Sequence, residues 1–269
     1  MANLRVWILL LSGAWASVAT AEGEWPRLRL CYEVGGLPPY TSSPPGWPAE
    51  QPGLVIELIQ QAANQARLRL DLHQQPWNRC VLEVRQGSSD GTFVAVWQAD
   101  RDVWGRYPGR IPLSEAPVDV GQRLWQVEYL IMVPPDSRLQ WDGQRFGGVV
   151  HGVGAPLGYA TSQRLRELGV LAQESLAQAT ALRLVLAGRL DGYVLEREIG
   201  LALIDEMGLR GRLVPLPLPL MRTDWYLPLS HQFYAANPEL AERFWQAIAE
   251  QRERLAEELA GRYLRAGRP

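Results

Sequence analysis

The sequence predicts an α/β protein of two similar lobes, each built on a mainly parallel β-sheet flanked by helices. Segments with strand alternation and segments with helical spacing take turns along the chain, an order typical of parallel sheets with right-handed crossovers. One phrase also occurs twice, as GSSDGTF at 87–93 and as GRLDGYV at 188–194. In both copies Gly suits a helix end and Asp-Gly a turn before a strand, so each copy indicates one α/β unit.

The first half of the chain predicts a strand, a helix, a strand, a helix and a strand, in that order. Residues 27–34 alternate apolar and polar side chains, and 54–66 carry apolar residues at helical spacing. Residues 67–73 alternate again, 76–87 begin with Pro and end with Gly as a helix does, and 91–97 form an apolar run. We therefore expect 91–97 to be a buried strand.

The second half repeats this plan and ends in a long helix. We expect strands at 146–154 and 192–196 and helices at 161–169, 175–188 and 197–208. Residues 212–221 contain too many prolines for a central strand, and Asn237-Pro238 begins the last helix.

The N-terminal segment predicts a secretory signal peptide over residues 1–21. Arg5 is the single charge before Glu22, and the apolar run from Val6 to Val18 is too short to span a bilayer. Small residues at 19–21 suit signal-peptidase cleavage. The alternative, a buried N-terminal helix, lacks helical periodicity. We therefore expect export to the periplasm and a mature chain that is not embedded in the membrane.

Composition argues against several functional classes. The apolar fraction of 47% and the charged fraction of 21% are ordinary for a globular protein. A net charge of −2 provides no strongly basic face, so we expect no nucleic-acid partner. His73, His151 and His231 are scattered without metal-ligand spacing, and no P-loop or nucleophile-elbow motif occurs. We expect no metal, no cofactor and no catalytic residue.

Strand ends indicate where a ligand would bind. In open α/β sheets, ligands bind outside the carboxyl ends of the strands, and a cleft between two lobes is a common binding place. Asp90 and Asp191 precede their strands and are expected to form turns. Trp97 to Arg101 and Glu196 stand at strand ends, where a ligand would lie.

Seven stretches occur together in the order of one known family. They are LPPY, PGLVIELIQQAA, PWNRCVLEVRQGSSDGTF, ADRDVWGRYP, PLSEAPV, LVLAGRLDGYVLE and LSHQFYAANPELAERFWQAI. Together they resemble the family 3 extracellular solute-binding proteins, the periplasmic receptors of polar amino-acid ABC importers. The resemblance implies the type II periplasmic-binding-protein fold, two lobes joined by two crossover segments, with lobe 1 at 26–119 plus 226–269 and lobe 2 at 120–225.

The resemblance also implies site residues in lobe 1. Tyr40 and Trp77 match aromatic positions on the cleft wall, and Trp97 makes that wall bulkier. Arg101 matches the arginine that binds the ligand carboxylate, a role suited to a planar bidentate donor. The alternatives are an Arg101 that pairs with a neighbouring aspartate at the surface and tryptophans that belong to the core.

In lobe 2, Glu196 matches the carboxylate that receives the ligand ammonium. Residues from Gly152 to Tyr159 match the stretch that offers backbone N–H groups and a small hydroxyl. The sequence departs from the family here, because GVGAPLGY replaces the usual Gly-Thr pair and Glu replaces the commoner Asp. The alternative for Glu196 is to begin the next helix, where acidic side chains are favourable.

Two cysteines stand where the expected sheet order brings them together. Cys31 lies at the end of the first strand and Cys80 at the start of the helix after the second strand, and these two strands are expected to be neighbours. An exported chain with an even number of cysteines permits one disulfide, so we expect a Cys31–Cys80 bond. The alternative is two buried free thiols.

Three functions follow from these observations. The first is a monomeric, non-enzymatic solute-binding protein that delivers an amino acid, a related zwitterion or an organic acid to an inner-membrane ABC permease. The second is an enzyme on the same scaffold that resembles the cyclohexadienyl dehydratases, with Glu196 or Glu33 as general acid. The third is a sensor module that binds a membrane kinase.

Overall fold

The computed structural model describes residues 24–42, 50–111, 114–172 and 177–264. The predicted signal peptide at 1–21 and the first two residues of the predicted helix at 175–188 lie outside these residues. No helix among the described residues is long and apolar enough to cross a membrane.

The described residues form seven α-helices and eleven strands. The helices are α1 (Leu54–Ala66), α2 (Trp77–Gln86), α3 (Ala160–Glu167), α4 (Gln178–Leu186), α5 (Arg197–Glu206), α6 (His231–Ala236) and α7 (Pro238–Tyr263). The strands are β1 (Arg27–Glu33), β2 (Arg69–Gln75), β3 (Gly91–Thr92), β4 (Ala95–Val96), β5 (Trp125–Val133), β6 (Gln140–Trp141), β7 (Phe146–Gly147), β8 (Val153–Gly154), β9 (Gly192–Glu196), β10 (Val214–Pro215) and β11 (Met221–Tyr226). Two short 3₁₀ helices are formed by Ala99–Val103 and Val120–Gln122.

Lobe 1 is built on a three-stranded sheet in the order β2-β1-β3, and both of its pairings are parallel. Helix α1 packs on α7, whose buried face includes Phe244 and Trp245. The Trp245 indole N–H donates to the carbonyl of Leu227 at 2.8 Å, and the Tyr263 hydroxyl donates to Glu57 at 2.8 Å. These contacts join the C-terminal helix to lobe 1.

A second sheet carries lobe 2 and connects it to lobe 1. Its strand order is β4-β11-β5-β9-β8, with β10 also paired to β5. Among the strands of this sheet, β8 and β9 form the one parallel pair. The pairs β4–β11, β11–β5, β5–β9 and β5–β10 are antiparallel. The two-lobed α/β fold is confirmed, whereas a mainly parallel sheet is found in lobe 1 alone. The lobe boundaries given above stay predictions.

The repeated phrase connects adjacent segments in each lobe. The Asp90 carboxylate accepts the backbone N–H of Arg29 at 2.8 Å and also pairs with the Arg29 guanidinium. The Asp191 carboxylate accepts three successive backbone N–H groups, from 150 to 152, at 2.7–2.8 Å. Both aspartates lie at the starts of strands and hold the neighbouring backbone in place.

Two predicted strands are interrupted, and left-handed residues explain why. Val94 has a φ of 62° and separates β3 from β4 within the predicted strand at 91–97. Gly148 and Gly152 have φ values of 70° and 86°, so the chain turns between β7 and β8. The single strand predicted at 146–154 is therefore wrong.

The disulfide prediction is confirmed. Cys31 and Cys80 are bonded, with their Cα atoms 5.4 Å apart, and both are fully buried. The bond fastens α2 to the central strand β1 of lobe 1.

Candidate functional site

The candidate site is the narrow space between the two lobes, next to the carboxyl ends of β1, β4 and β9. One part of this space is lined by polar and aromatic side chains that include Glu33, Trp77, Arg101, Tyr129 and Tyr159. An adjoining part is lined by Glu196 and Trp225 and shares Tyr129 and Tyr159 with the first. The space therefore lies at the strand ends where the sequence predicts a site.

Arg101 is buried in the 3₁₀ helix that follows β4 and is held by two backbone carbonyls. One guanidinium nitrogen donates to Val96 and the other to Gly158, each at 3.0 Å. The guanidinium carbon lies 5.7 Å from the centre of the Trp77 ring, within range of a cation–π contact. A guanidinium has five N–H donors, so donors are left for an anion. The predicted alternative, a surface arginine, does not describe this residue, which is 7% exposed.

Glu196 ends β9 and its carboxylate caps the helix that follows. One oxygen accepts the backbone N–H groups of Glu198 and Ile199 at 3.0 and 3.1 Å, and the other accepts the Tyr40 hydroxyl at 3.0 Å. Burial raises the pKa of this carboxyl to about 8, although the hydrogen bonds lower it. Glu196 thus caps helix α5, as the alternative prediction expected, and the same side chain also lines the space between the lobes.

Tyr40 is buried in the loop after β1 and contacts both Glu196 and the aromatic core. Its ring meets the Trp225 ring edge to face, with the centroids 4.8 Å apart. The Trp225 indole in turn donates to the Tyr129 hydroxyl at 2.9 Å. Burial and the Glu196 charge raise the pKa of Tyr40 well above its usual value, so its hydroxyl keeps its proton and donates to Glu196.

Glu33, at the end of β1, is the carboxylate that lies in the same part of the space as Arg101. The backbone N–H of Trp77 donates to it, and the Tyr159 hydroxyl lies 3.5 Å from it. Burial raises the pKa of Glu33. The sequence reasoning named Glu33 only as a possible acid in an enzyme. Its position at the end of a central parallel strand was the signal that could have placed it in the site.

Two aromatic side chains meet across the space. The rings of Trp77 and Tyr159 approach edge to face at 6.3 Å, and Trp77 also contacts Trp104 at 6.3 Å. Tyr159 precedes α3 and follows Gly158, which has a φ of 79°. A Cβ atom on Gly158 would lie 2.6 Å from the Asn78 side-chain oxygen, so this glycine permits the close approach of the two lobes.

Three contacts therefore close the lobes on each other. They are Tyr40 with Glu196, Arg101 with the Gly158 carbonyl, and Tyr159 with Glu33. Each joins a residue within the predicted bounds of lobe 1 to a residue within those of lobe 2. The side chains with ligand-binding chemistry are thus the same groups that hold the lobes together.

Two predicted site residues lie outside this space. The Trp97 indole donates to Asp102 at 3.0 Å, and the Arg110 guanidinium lies 4.9 Å from its ring centre. Gly152 precedes β8, at the end of that strand away from the site, and its N–H is bonded to Asp191. Of the predicted residues, Trp77, Arg101, Tyr159 and Glu196 line this space. Tyr40 does not line it and is joined to it only by its hydrogen bond to Glu196, whereas Trp97 and Gly152 lie apart from it.

The chain has the two-lobed fold of the periplasmic binding proteins. No protein-family model and no curated protein sequence matches it. Among solved structures, it is similar to a histidine kinase sensor domain with similarity to periplasmic binding proteins, at a TM-score of 0.67 and 18% identity, covering 90% of this chain and 97% of that one.

Two further structures are binding proteins. An ancestral arginine-binding protein bound to arginine matches at a TM-score of 0.68 and 12% identity, covering 89% of this chain and 99% of that one. The substrate-binding protein of an amino acid ABC transporter matches at a TM-score of 0.65 and 12% identity, covering 88% and 98%. At these identities the likeness establishes the fold.

Proposed function

We propose that this protein is a periplasmic solute-binding protein of family 3 that captures a small zwitterion between its lobes and delivers it to an ABC permease. The observation that carries the proposal is that a buried arginine and a half-buried carboxylate line one space between the two lobes. Arg101 and Glu33 line the same part of that space, with Trp77 and Tyr159 beside them. A ligand with a carboxylate and an ammonium complements both charges.

In this proposal Arg101 receives the ligand carboxylate through donors that its two carbonyl partners leave free. Glu33 receives the ammonium, since it shares the space with Arg101 and the Tyr159 hydroxyl gives it little competition at 3.5 Å. Glu196, which the family resemblance implies for this role, already accepts three hydrogen bonds. We assign it instead to closing the lobes through Tyr40.

The fold supports a hinge mechanism for binding. Opening the lobes breaks the three contacts between them, and a bound zwitterion replaces part of them with new bonds to Arg101 and Glu33. Ligand binding then favours the closed form and stabilises the protein. Two of the compared proteins are named as binders of amino acids or arginine, which supports this ligand class.

A thermal-shift screen tests the proposal. Amino acids, opines, polyamines and small organic acids are compared with analogues that lack the carboxylate or the ammonium. We expect the melting temperature to rise only with ligands that carry both charges. A screen in which no zwitterion raises the melting temperature would contradict the proposal.

Arg101→Ala should weaken a ligand from that screen about 100-fold, because a charge-assisted hydrogen bond contributes about 1.5–3 kcal/mol. Arg166→Ala, an exposed arginine on α3, is the matched control and should bind like the wild type. Isothermal titration calorimetry measures both, and equal affinities of the two variants would remove Arg101 from the site.

A sensor module is the second candidate, favoured by the similarity to a histidine kinase sensor domain. Pull-down with the inner-membrane proteins of the source cell separates the two, because a permease is expected for the first function and a kinase for the second.

We propose no enzymatic turnover, and the compared binding proteins support this. Conversion of prephenate or arogenate would show otherwise.

A further inference from the structure

Four side chains with metal-ligating atoms meet where α2 packs on β1 and β2. They are Cys31, His73, Cys80 and Glu83, and none of them lines the space between the lobes. Local sequence does not indicate this cluster, because a loop and helix α1 separate Cys31 from the other three residues.

The fold explains why they meet. Cys31 and His73 are register partners on the adjacent parallel strands β1 and β2. Cys80 and Glu83 are three residues apart on α2, so they share a helix face. The disulfide brings that face against β1, and each secondary-structure layer contributes two ligands.

The distances are close to those of a tetrahedral site. One ligand atom from each of Cys31, His73 and Glu83 lies within 4.8 Å of the other two. His73 Nε2 and Glu83 Oε2 are 2.7 Å apart, and the Cys80 sulfur is bonded to that of Cys31. Ligands at the usual zinc distances are about 3.3–3.8 Å from one another, so the two sulfurs, once released from their bond, must separate, and His73 and Glu83 must move apart, to hold one ion.

The surroundings also suit a bound cation. The Ser89 hydroxyl donates to Glu83 Oε2 at 3.0 Å and orients that carboxylate, as outer-shell partners of metal ligands do. The cysteines are fully buried, but the His73 side chain is 38% exposed, which leaves a path from solvent to the cluster.

The oxidation state of the cysteines decides whether a metal can bind. A disulfide sulfur is a poor ligand, whereas a thiolate is a strong one. A dithiol reductant supplies two electrons and two protons, breaks the S–S bond, and is itself oxidised to a disulfide. A zinc ion then displaces the two thiol protons and binds two thiolates, one imidazole and one carboxylate, a ligand set that zinc accepts.

We propose that lobe 1 contains a redox-gated zinc site, formed by Cys31, Cys80, His73 and Glu83 when the Cys31–Cys80 bond is reduced. In the oxidised protein the disulfide joins α2 to β1, and in the reduced protein the metal joins them. The lobe thus keeps a cross-link at the same place in both states. This inference does not depend on the ligand proposed for the cleft.

Cobalt(II) binding to the full mature chain tests the site. The protein is reduced with a water-soluble phosphine, which takes up oxygen from water to become its oxide and leaves two thiols. After the phosphine is removed without air, Co²⁺ is titrated and then displaced by Zn²⁺. We expect one Co²⁺ per reduced chain, with the absorption of thiolate-bound tetrahedral cobalt, and none in the oxidised protein.

Two histidine variants identify the ligands. His73→Ala should weaken Co²⁺ binding at least about 10-fold, the smallest loss typical of changes around a metal site. His151→Ala removes an exposed histidine in lobe 2 and should bind like the wild type. The melting temperatures of both oxidised variants show that each folds.

Circular dichroism of the reduced protein covers the case in which reduction unfolds the chain. If the reduced chain loses its native spectrum, Zn²⁺ should restore it. The proposal is overturned if the reduced wild type binds no Co²⁺, if metal binds without the native spectrum, or if His73→Ala binds as tightly as His151→Ala.

Discussion

Replacing Glu196 by Gln should flatten the dependence of stability on pH. Burial raises the pKa of this carboxyl to about 8 in the folded protein, whereas the pKa of an exposed glutamate is about 4.5. Between these values the folded chain binds a proton that the unfolded chain releases. The contribution of Glu196 to the free energy of unfolding is therefore greatest below about pH 4.5 and is lost as the pH rises toward 8.

The magnitude follows from the number of protons. One proton bound only by the folded state lowers the free energy of unfolding by about 1.4 kcal/mol per pH unit, or about 3 kcal/mol between pH 5.5 and 7.5. Gln is neutral at every pH, and its amide can still accept the helix N–H groups and bond to Tyr40. The difference between wild type and variant therefore isolates this one group.

Urea unfolding of wild type and Glu196→Gln across this pH range measures the difference. Glu206→Gln, an exposed change at the end of the same helix α5, is the matched control and should follow the wild-type profile. Parallel pH profiles of the wild type and Glu196→Gln would show that the pKa of Glu196 is the same in the folded and unfolded chain, contrary to this prediction.

Two further changes test the cross-link in lobe 1 and the approach of the lobes. The double change Cys31→Ser and Cys80→Ser should lower the free energy of unfolding by about 4 kcal/mol. This is the chain-entropy value for a loop closed by cysteines that are 49 positions apart. An unchanged urea midpoint would contradict this prediction. Gly158→Trp should open the lobes, because its side chain would begin 2.6 Å from the Asn78 side chain and 3.3 Å from the Trp77 ring and is too large to fit between them, and small-angle scattering should then report a larger radius of gyration. Gly169→Trp is the matched control: Gly169 has a similar positive φ of 71° with nothing within 4 Å, so the variant carries the same backbone strain and should leave the shape unchanged.

Local patterns predicted the regular elements of the chain well. The helix expected at 54–66 and the strand expected at 192–196 have the predicted bounds. Both are strongly patterned and end at clear signals, an αL residue for the helix and the capping Glu196 for the strand. The central strand β5 was missed, because it belongs to neither repeated α/β unit and pairs antiparallel with β9 and β11.

The site was predicted by edge but not by side chain. The strand-end rule and the family resemblance predicted that Arg101 and Glu196 face the space between the lobes, and both side chains line it. Trp97 follows β4 by one residue, yet its indole turns to Asp102, because a strand end does not specify which way the next side chain points. Which groups share one space, as Glu33 and Arg101 do, depends on how the two lobes pack and was not readable from local sequence.

The central claim is that Arg101 and Glu33 hold the two ends of one small zwitterion. A crystal structure of the protein with the amino acid that most raises its melting temperature tests this most directly. We expect a ligand between the lobes with its carboxylate bonded to Arg101 and its ammonium bonded to Glu33. A ligand bound elsewhere, or one whose carboxylate does not touch Arg101, would contradict it.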